Sequence, residues 1–266
     1  MPLAQELEAV AIEIAREAGE LARRRRGEGL AIAATKSALA DIVTEADREV
    51  EVLIRTRLAE RRPDDAFLGE ESGAEPGTSG ITWIVDPIDG TVNYAYGIPS
   101  YAVSIAAVEG DPVPGEWNAL AGAVLNPVSG ELFHAARGAG AWLDGERLAV
   151  NSEPMPAGAL LGTGFGYNPA THAGDLAQVA RVMTLARDVR RIGAASLDLA
   201  FVAAGRLDGY FERGLQPWDH AAGALLVTEA GGAITVTGAP DEHGRTLVVA
   251  AGPGLFERLL AVVLGT

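Results

Sequence analysis

The sequence predicts a layered α/β sandwich. Strand-like runs come in groups with helical segments collected between them, instead of alternating one for one as in a regular βαβ repeat. The chain has 266 residues, 48% of them hydrophobic, enough for an extensive core. No repeat, low-complexity tract or linker of distinct composition interrupts it. Residues 1–266 therefore read as one domain of two halves that meet near residue 150.

The opening segment, MPLAQELEAVAIEIAREAGELARRRR, has helical apolar spacing. Its acids come early and its arginines late, which suits the helix dipole. It lacks the basic start and apolar centre of a secretory signal, and the cytoplasm is the expected compartment. The four arginines from Arg23 to Arg26 could bind an anion, although a solvated helix end carries the same pattern. A second helix starts near Thr44, a capping residue type, and runs to Arg61 before Pro63. A short strand over 66–68 leads to Gly69-Glu70-Glu71-Ser72, and 73–80 reads as a loop from its Gly, Pro and Ser content. Residues 81–85 read as a buried strand that stops at Asp86-Pro87, because proline donates no ladder hydrogen bond.

Strands are expected over 101–108, 119–125, 131–136 and 160–163, with turns at Gly110-Asp111-Pro112 and Asn126-Pro127. Helices are expected over 175–187 and 195–204, the latter ended by Gly205. A strand over 209–212 precedes a helix that starts after Asp219 and closes at Gly231-Gly232. Short strands at 233–236 and 246–250 and a helix over 254–264 complete the chain.

The absence of cysteine excludes disulfides and thiolate chemistry, so any metal must be held by oxygen or imidazole. The formal net charge of -15 argues against a uniform nucleic-acid surface, which needs clustered cations. An acidic protein acting on a phosphate would need metal ions between the two. No stretch is an uninterrupted membrane span; the best candidate, 246–266, is broken by Gly252, Pro253, Gly254, Glu257 and Arg258.

Four carboxylates stand at expected element boundaries: Glu70, Asp86, Asp89 and Asp219. Asp86 and Asp89 follow the buried strand in WIVDPIDGTVNY. A carboxylate at such a position is costly to keep charged without a cation, and two of them three residues apart repel each other. A divalent metal relieves both problems, and Mg²⁺ suits oxygen ligands beside a substrate phosphate. Taken singly, Asp86 and Asp89 also read as turn residues, Glu70 as a loop or capping acid, and Asp219 as a helix N-cap. Three distant segments each offering such an acid favour the metal reading. If a helix starts at Gly90, its N-terminus can hold a phosphate.

With these residues in view, the chain resembles the inositol monophosphatase family. The resemblance rests on Glu70 in GEES, on DPIDGT from Asp86 to Thr91, and on Trp218-Asp219 followed by Glu229-Ala230-Gly231-Gly232. The stretch Asp41-Ile42-Val43-Thr44-Glu45-Ala46-Asp47 resembles its N-terminal motif, and RRIGAASLDL from Arg190 to Leu199 resembles a stretch of its bacterial members. The resemblance implies a five-layer αβαβα sandwich with mixed sheets, usually a homodimer, commonly inhibited by Li⁺. It implies that Glu70, Asp86, Asp89, Asp219 and the carbonyl of Ile88 are metal ligands for two or three Mg²⁺, with Mn²⁺ as an alternative ion. Thr91 and Glu70 would orient and deprotonate the attacking water, and the N–H groups of Gly90 and Thr91 would contact the phosphate. Arg190, Gly193, Ala195 and Glu212 would line the alcohol side, and Asp89, Gly90, Thr91 and Asp219 would also contact the substrate.

The reaction so implied is hydrolysis of inositol monophosphate by in-line attack of metal-activated water, with no phospho-enzyme. Fructose-1,6-bisphosphatase, histidinol-phosphate phosphatase and broad sugar phosphatase activity are close rivals that share the metal chemistry. A non-catalytic interaction protein on the same fold is the alternative of another class. Three positions stand beside this set. Lys36 is the sole lysine among 21 basic residues and falls near the family's third metal site. Asp47 could position metal-bound water or sit on a helix surface. His220 adjoins Asp219 but reads as a neighbour on the opposite helix face. Val92 and Asn93, after Thr91, vary among relatives in a region that shapes the substrate pocket.

Overall fold

The computed structural model describes residues 1–28, 32–35, 42–110, 116–237 and 240–266. Its elements, in chain order, begin with α1 (Leu3–Gly27), β1 (Ile32–Thr35), β2 (Ile42–Thr44), α2 (Glu45–Arg61), β3 (Ala66–Gly69), β4 (Gly73–Glu75), β5 (Ile81–Asp89) and α3 (Thr91–Tyr96). β6 (Ala102–Glu109), β7 (Asn118–Leu125), β8 (Leu132–Ala136), β9 (Gly140–Leu143) and β10 (Glu146–Arg147) follow. The remainder is β11 (Ala159–Thr163), a short 3₁₀ turn, α4 (His172–Val182), β12 (Ala186–Arg190), α5 (Ala195–Ala203), β13 (Gly209–Arg213), α6 (Pro217–Glu229), β14 (Ala233–Thr237), β15 (Leu247–Ala251) and α7 (Phe256–Leu264).

Two mixed sheets carry the architecture. The larger has eight strands in the order β10-β9-β8-β7-β6-β5-β3-β4, and the smaller five in the order β12-β11-β13-β15-β14. β3 runs parallel to β5, and β11 runs parallel to both β12 and β13; the other pairs are antiparallel. The break between the sheets falls between Arg147 and Ala159. β1 and β2 form a separate antiparallel pair.

Three apolar clusters stack the layers. Helices α1 and α2 cover the outer face of the large sheet, where Leu7, Ala11, Ile14, Ala18, Leu21 and Ala22 recur at helical spacing and meet Val85, Val103, Ile105 and Leu125. Helices α5 and α6 fill the space between the sheets through Leu197, Leu199, Val202, Leu226 and Val227. Helices α4 and α7 close the far face through Val182, Leu259 and Val263, with Leu255 just ahead of α7. The order is αβαβα, as the resemblance implied. α5 buries eight of its nine residues, so it is apolar all round except for Ser196 and Asp198. Those two polar side chains are the ones that need a local reason.

Several boundaries differ from the sequence expectations. β5 does not stop at Asp86-Pro87 but runs to Asp89, and all nine of its residues are buried. Its pairing with β6 passes from Asp86↔Ser104 to Asp89↔Ala102, three residues against two, so one extra residue bulges out. Pro87 lies within this irregularity, where no ladder hydrogen bond is demanded of it. Residues 73–75, read as loop, pair back on β3 as β4. The single helix expected over 175–187 is α4 followed by β12, a half-exposed edge strand of ARDVR whose charges hid its strand character. The hairpin of β9 and β10 was not anticipated, although Asp144-Gly145 is a strong turn signal; both residues have positive φ, 49° and 84°.

Candidate active site

The bulge decides where the two acids of β5 point. In a regular strand, side chains three residues apart face opposite sides. One extra residue restores the parity, and Asp86 and Asp89 project together. Asp219 joins them from the first turn of α6, its Oδ2 accepting the backbone N–H of Gln216 at 2.6 Å. The helix thus starts at Pro217, before Asp219 and not after it. One carboxylate oxygen from each of Asp86, Asp89 and Asp219 lies within 4.8 Å of the others, the arrangement a shared cation requires. Asp86 is 2% and Asp89 7% exposed, while Asp219 is partly open to the cavity.

These acids form one wall of a cavity of about 300 Å³ that is also lined by Glu70, Ile88, Gly90, Thr91, Gly193, Ala195 and Glu212. Glu70 arrives at the end of β3, its N–H donating to the Val85 carbonyl at 3.2 Å. The neighbouring N–H of Glu71 donates to the buried Glu51 of α2 at 2.9 Å, which fixes this corner. Ile88 N–H donates to Asp86 Oδ1 at 3.0 Å, and Thr91 Oγ1 donates to the Ile88 carbonyl at 3.2 Å. Gly90 has φ +89°, and a Cβ there would stand 3.0 Å from the Gly193 carbonyl and 3.1 Å from that of Ser100. Only glycine fits this turn without strain.

Electrostatics follow from the crowding. Burial, then the charges of Glu70, Asp89, Asp219 and Asp47, push the Asp86 carboxyl well above the usual carboxylate range. Burial also raises Asp89, against hydrogen bonds from Ser196 and Ala195 and the charge of Arg191. Asp219 is raised well above normal by burial and then by Asp89. Burial pushes Glu212 up to about 7, against the Tyr210 hydroxyl and Arg191. Carboxylates in this state await a cation or a proton.

Asp89 is held by three donors at the start of α5: Ser196 N at 2.7 Å, Ser196 Oγ at 2.5 Å and Ala195 N at 3.3 Å. This gives Ser196 its reason, and the sequence signal was a hydroxyl in the first turn of an otherwise apolar helix. Asp47 is 2% exposed and close enough to raise Asp86, but it does not line the cavity. Lys36 lies outside the described residues. Arg190 is not brought to the site. It ends β12 exposed to solvent and pairs with Asp188 at 2.7 Å. The next residue, Arg191, lines the cavity instead, because consecutive side chains leave an extended segment on opposite sides. Trp218, from the motif it shares with Asp219, lines it as well, and so do Phe165 and Tyr167, which nothing in the sequence spacing announced. Asn93 is buried behind the site, donating to the carbonyls of Ser100 at 2.6 Å and Ile192 at 2.9 Å.

His220 faces away from the cavity. Its ring stacks on Trp117 at 5.7 Å between centroids, and neither ring nitrogen has a hydrogen-bond partner. Burial lowers it to about 4. Its folded pKa lies below the ordinary 6.5, so the contribution of this one group to stability falls as pH drops from about 6.5 towards 4, by about 3 kcal/mol. His220→Phe keeps the stacking and removes two orphaned polar atoms. Urea unfolding should show it more stable by ~1–3 kcal/mol at pH 7 and still further ahead at pH 5. A less stable variant at both pH values would contradict this account of His220.

Comparison with known proteins identifies relatives of the whole chain. The chain is 43% identical to the inositol-1-monophosphatase of Mycobacterium bovis, over 97% of this chain and 93% of that one. It is 40% identical to the Nus factor SuhB of Pseudomonas aeruginosa, over 96% and 94%. The solved structure of Mycobacterium tuberculosis SuhB matches with a TM-score of 0.83 and 42% identity, covering 100% of this chain and 98% of that one. The profile of the inositol monophosphatase family matches residues 3–264, nearly the whole sequence, and this chain belongs to that family.

Proposed function

We propose that this chain is a magnesium-dependent phosphomonoesterase that hydrolyses inositol monophosphate to inositol and phosphate. The observation that carries the reading is the convergence of Asp86, Asp89 and Asp219 to within 4.8 Å in one cavity. The donor set is all oxygen, and buried carboxylates that repel one another are relieved by a hard divalent cation, so the residues fit Mg²⁺. Glu70, Asp86, Asp89, Asp219 and the Ile88 carbonyl would hold two or three ions, and Mn²⁺ could take the same places. When bound, the ions supply positive charge to the phosphate oxygens and acidify water.

The chain's own residues complete the chemistry. Thr91 Oγ1 and the Glu70 carboxylate orient the attacking water, and Glu70 takes its proton. The N–H groups of Gly90 and Thr91 hold the phosphate. Gly193, Ala195 and Glu212 receive the alcohol part, with Arg191 in the place first given to Arg190. We place the enzyme in the cytoplasm as a lithium-sensitive homodimer of one-domain chains.

Fructose-1,6-bisphosphate, histidinol phosphate and other sugar phosphates are the rival substrates. The Nus factor name of the Pseudomonas relative favours a second reading, a role through a protein partner on the same fold. Phosphate release from a panel of esters, with and without Mg²⁺, separates them. Release should require Mg²⁺ and be fastest from inositol 1-phosphate. Folded protein that releases phosphate from no ester would leave only the partner role.

A further inference from the structure

Beside the metal-facing wall, the cavity has a second wall whose construction is unusual. β13 places Tyr210 and Glu212 two residues apart, hence on one face of the small sheet, and Tyr210 belongs to the cluster between the sheets. The neighbouring strand β11 runs parallel, with Gly162 paired to Tyr210 and Thr163 to Phe211. Continuing that register, Gly164 falls beside Glu212. Glycines therefore stand opposite both the tyrosine and the glutamate.

The space they leave is filled. A Cβ on Gly162 would lie 2.7 Å from Asp198 Oδ1 and 3.1 Å from the Tyr210 ring, and a Cβ on Gly164 would overlap both carboxylate oxygens of Glu212. Within this slot the Tyr210 hydroxyl, on a fully buried side chain, donates to Glu212 Oε2. Asp198 Oδ1, also buried and without a hydrogen-bond partner, lies behind the pair.

We propose that Tyr210 is a positioning residue: from the slot left by Gly162 and Gly164, its hydroxyl holds the Glu212 carboxylate at the cavity wall and so sets the affinity for polyol phosphates. This rests on the reading of Glu212 as the acceptor for substrate hydroxyls. A hydrogen bond to the charged form of Glu212 offsets the burial that pushes it towards protonation. Burial holds Tyr210 far above its usual pKa, so it remains a neutral donor. A carboxylate tied at one oxygen presents the other in a fixed direction, which lowers the ordering needed when a polyol binds.

The test is steady-state kinetics of the full chain with Mg²⁺ on myo-inositol 1-phosphate and on p-nitrophenyl phosphate, which has no polyol hydroxyls. Tyr210→Phe should raise KM for the inositol ester three- to tenfold and change kcat less than twofold. Combined with Glu212→Gln, it should add nothing to the KM of Glu212→Gln alone, because the hydroxyl acts through that carboxylate. Unchanged KM in Tyr210→Phe, equal losses on both esters, or effects that multiply in the double variant would each overturn the proposal. If Tyr210→Phe fails to fold, Gly164→Ala carries the test, since crowding Glu212 should raise the same KM. Wild-type release from p-nitrophenyl phosphate but not from the inositol ester would sink the polyol role of Glu212 and leave the phosphatase reading standing. Release from neither would sink both.

Discussion

Asp89→Asn is expected to lower turnover of phosphate esters by two orders of magnitude or more, roughly 3 kcal/mol of lost transition-state stabilisation. The substitution removes one negative charge from the three acids that converge within 4.8 Å, so the site would hold its cations with less charge and altered geometry. Folding should suffer far less. An asparagine oxygen in the place of Oδ2 still accepts from Ser196 N and Oγ, at 2.7 and 2.5 Å in the parent. The amide nitrogen then faces Ala195 N–H, which costs ~1–3 kcal/mol, and the relief of repulsion on Asp86 and Asp219 acts in the opposite direction. The comparison to make is kcat at saturating Mg²⁺ beside urea unfolding without metal. Near-normal turnover would remove Asp89 from the ligand set.

The second large effect concerns stability. Asp86, Asp89 and Asp219 all have carboxyl pKa values raised above 3.8 in the fold. Without a cation, these three carboxyls bind more protons in the folded chain than in the unfolded one above pH 3.8, so their contribution to stability falls as pH rises through the interval up to the raised values. A bound cation replaces those protons. At a hundredfold excess over its Kd, Mg²⁺ should add about 2.7 kcal/mol, a rise in melting temperature of roughly 5–10 °C for a chain of this size. The rise should be larger at pH 7.5 than at pH 5, where protons already neutralise part of the cluster. Thermal unfolding in EDTA and in Mg²⁺ at the two pH values measures this directly. A melting temperature indifferent to Mg²⁺ at both would mean that the cluster does not take the ion.

The sequence was informative where residue type and position coincide. Buried strand ends, glycine turns and the acids beside them could be read directly, because an uncompensated carboxylate on an apolar segment has few explanations. The alternation of helices and strands was legible wherever one face is buried. It failed at β12, whose exposed Arg187, Asp188 and Arg190 disguise a strand held by one neighbour, and at β4, a three-residue return that pairing alone creates. The choice of Arg190 over Arg191 failed for a related reason. Arg190 was named from the resemblance alone, and which of two adjacent arginines meets the cavity depends on where the extended backbone of β12 ends. Phe165 and Tyr167 came from a loop whose course is set by the parallel pairing of β11, a contact 48 residues distant at Thr163 Oγ1 and the Phe211 carbonyl.

The irregularity in β5 has a wider meaning for how such a motif can exist at all. Along a uniform ladder, two acids serving one cavity must be an even number of positions apart, each separated by a residue committed to the opposite core. By slipping one position, the chain earns an odd spacing and hands the two intervening places, Pro87 and Ile88, to other duties: one stiffens the corner, the other offers its carbonyl to the Thr91 hydroxyl. The slipped interval contains Pro87, which has no amide hydrogen to forfeit, so the sheet surrenders little for the freedom.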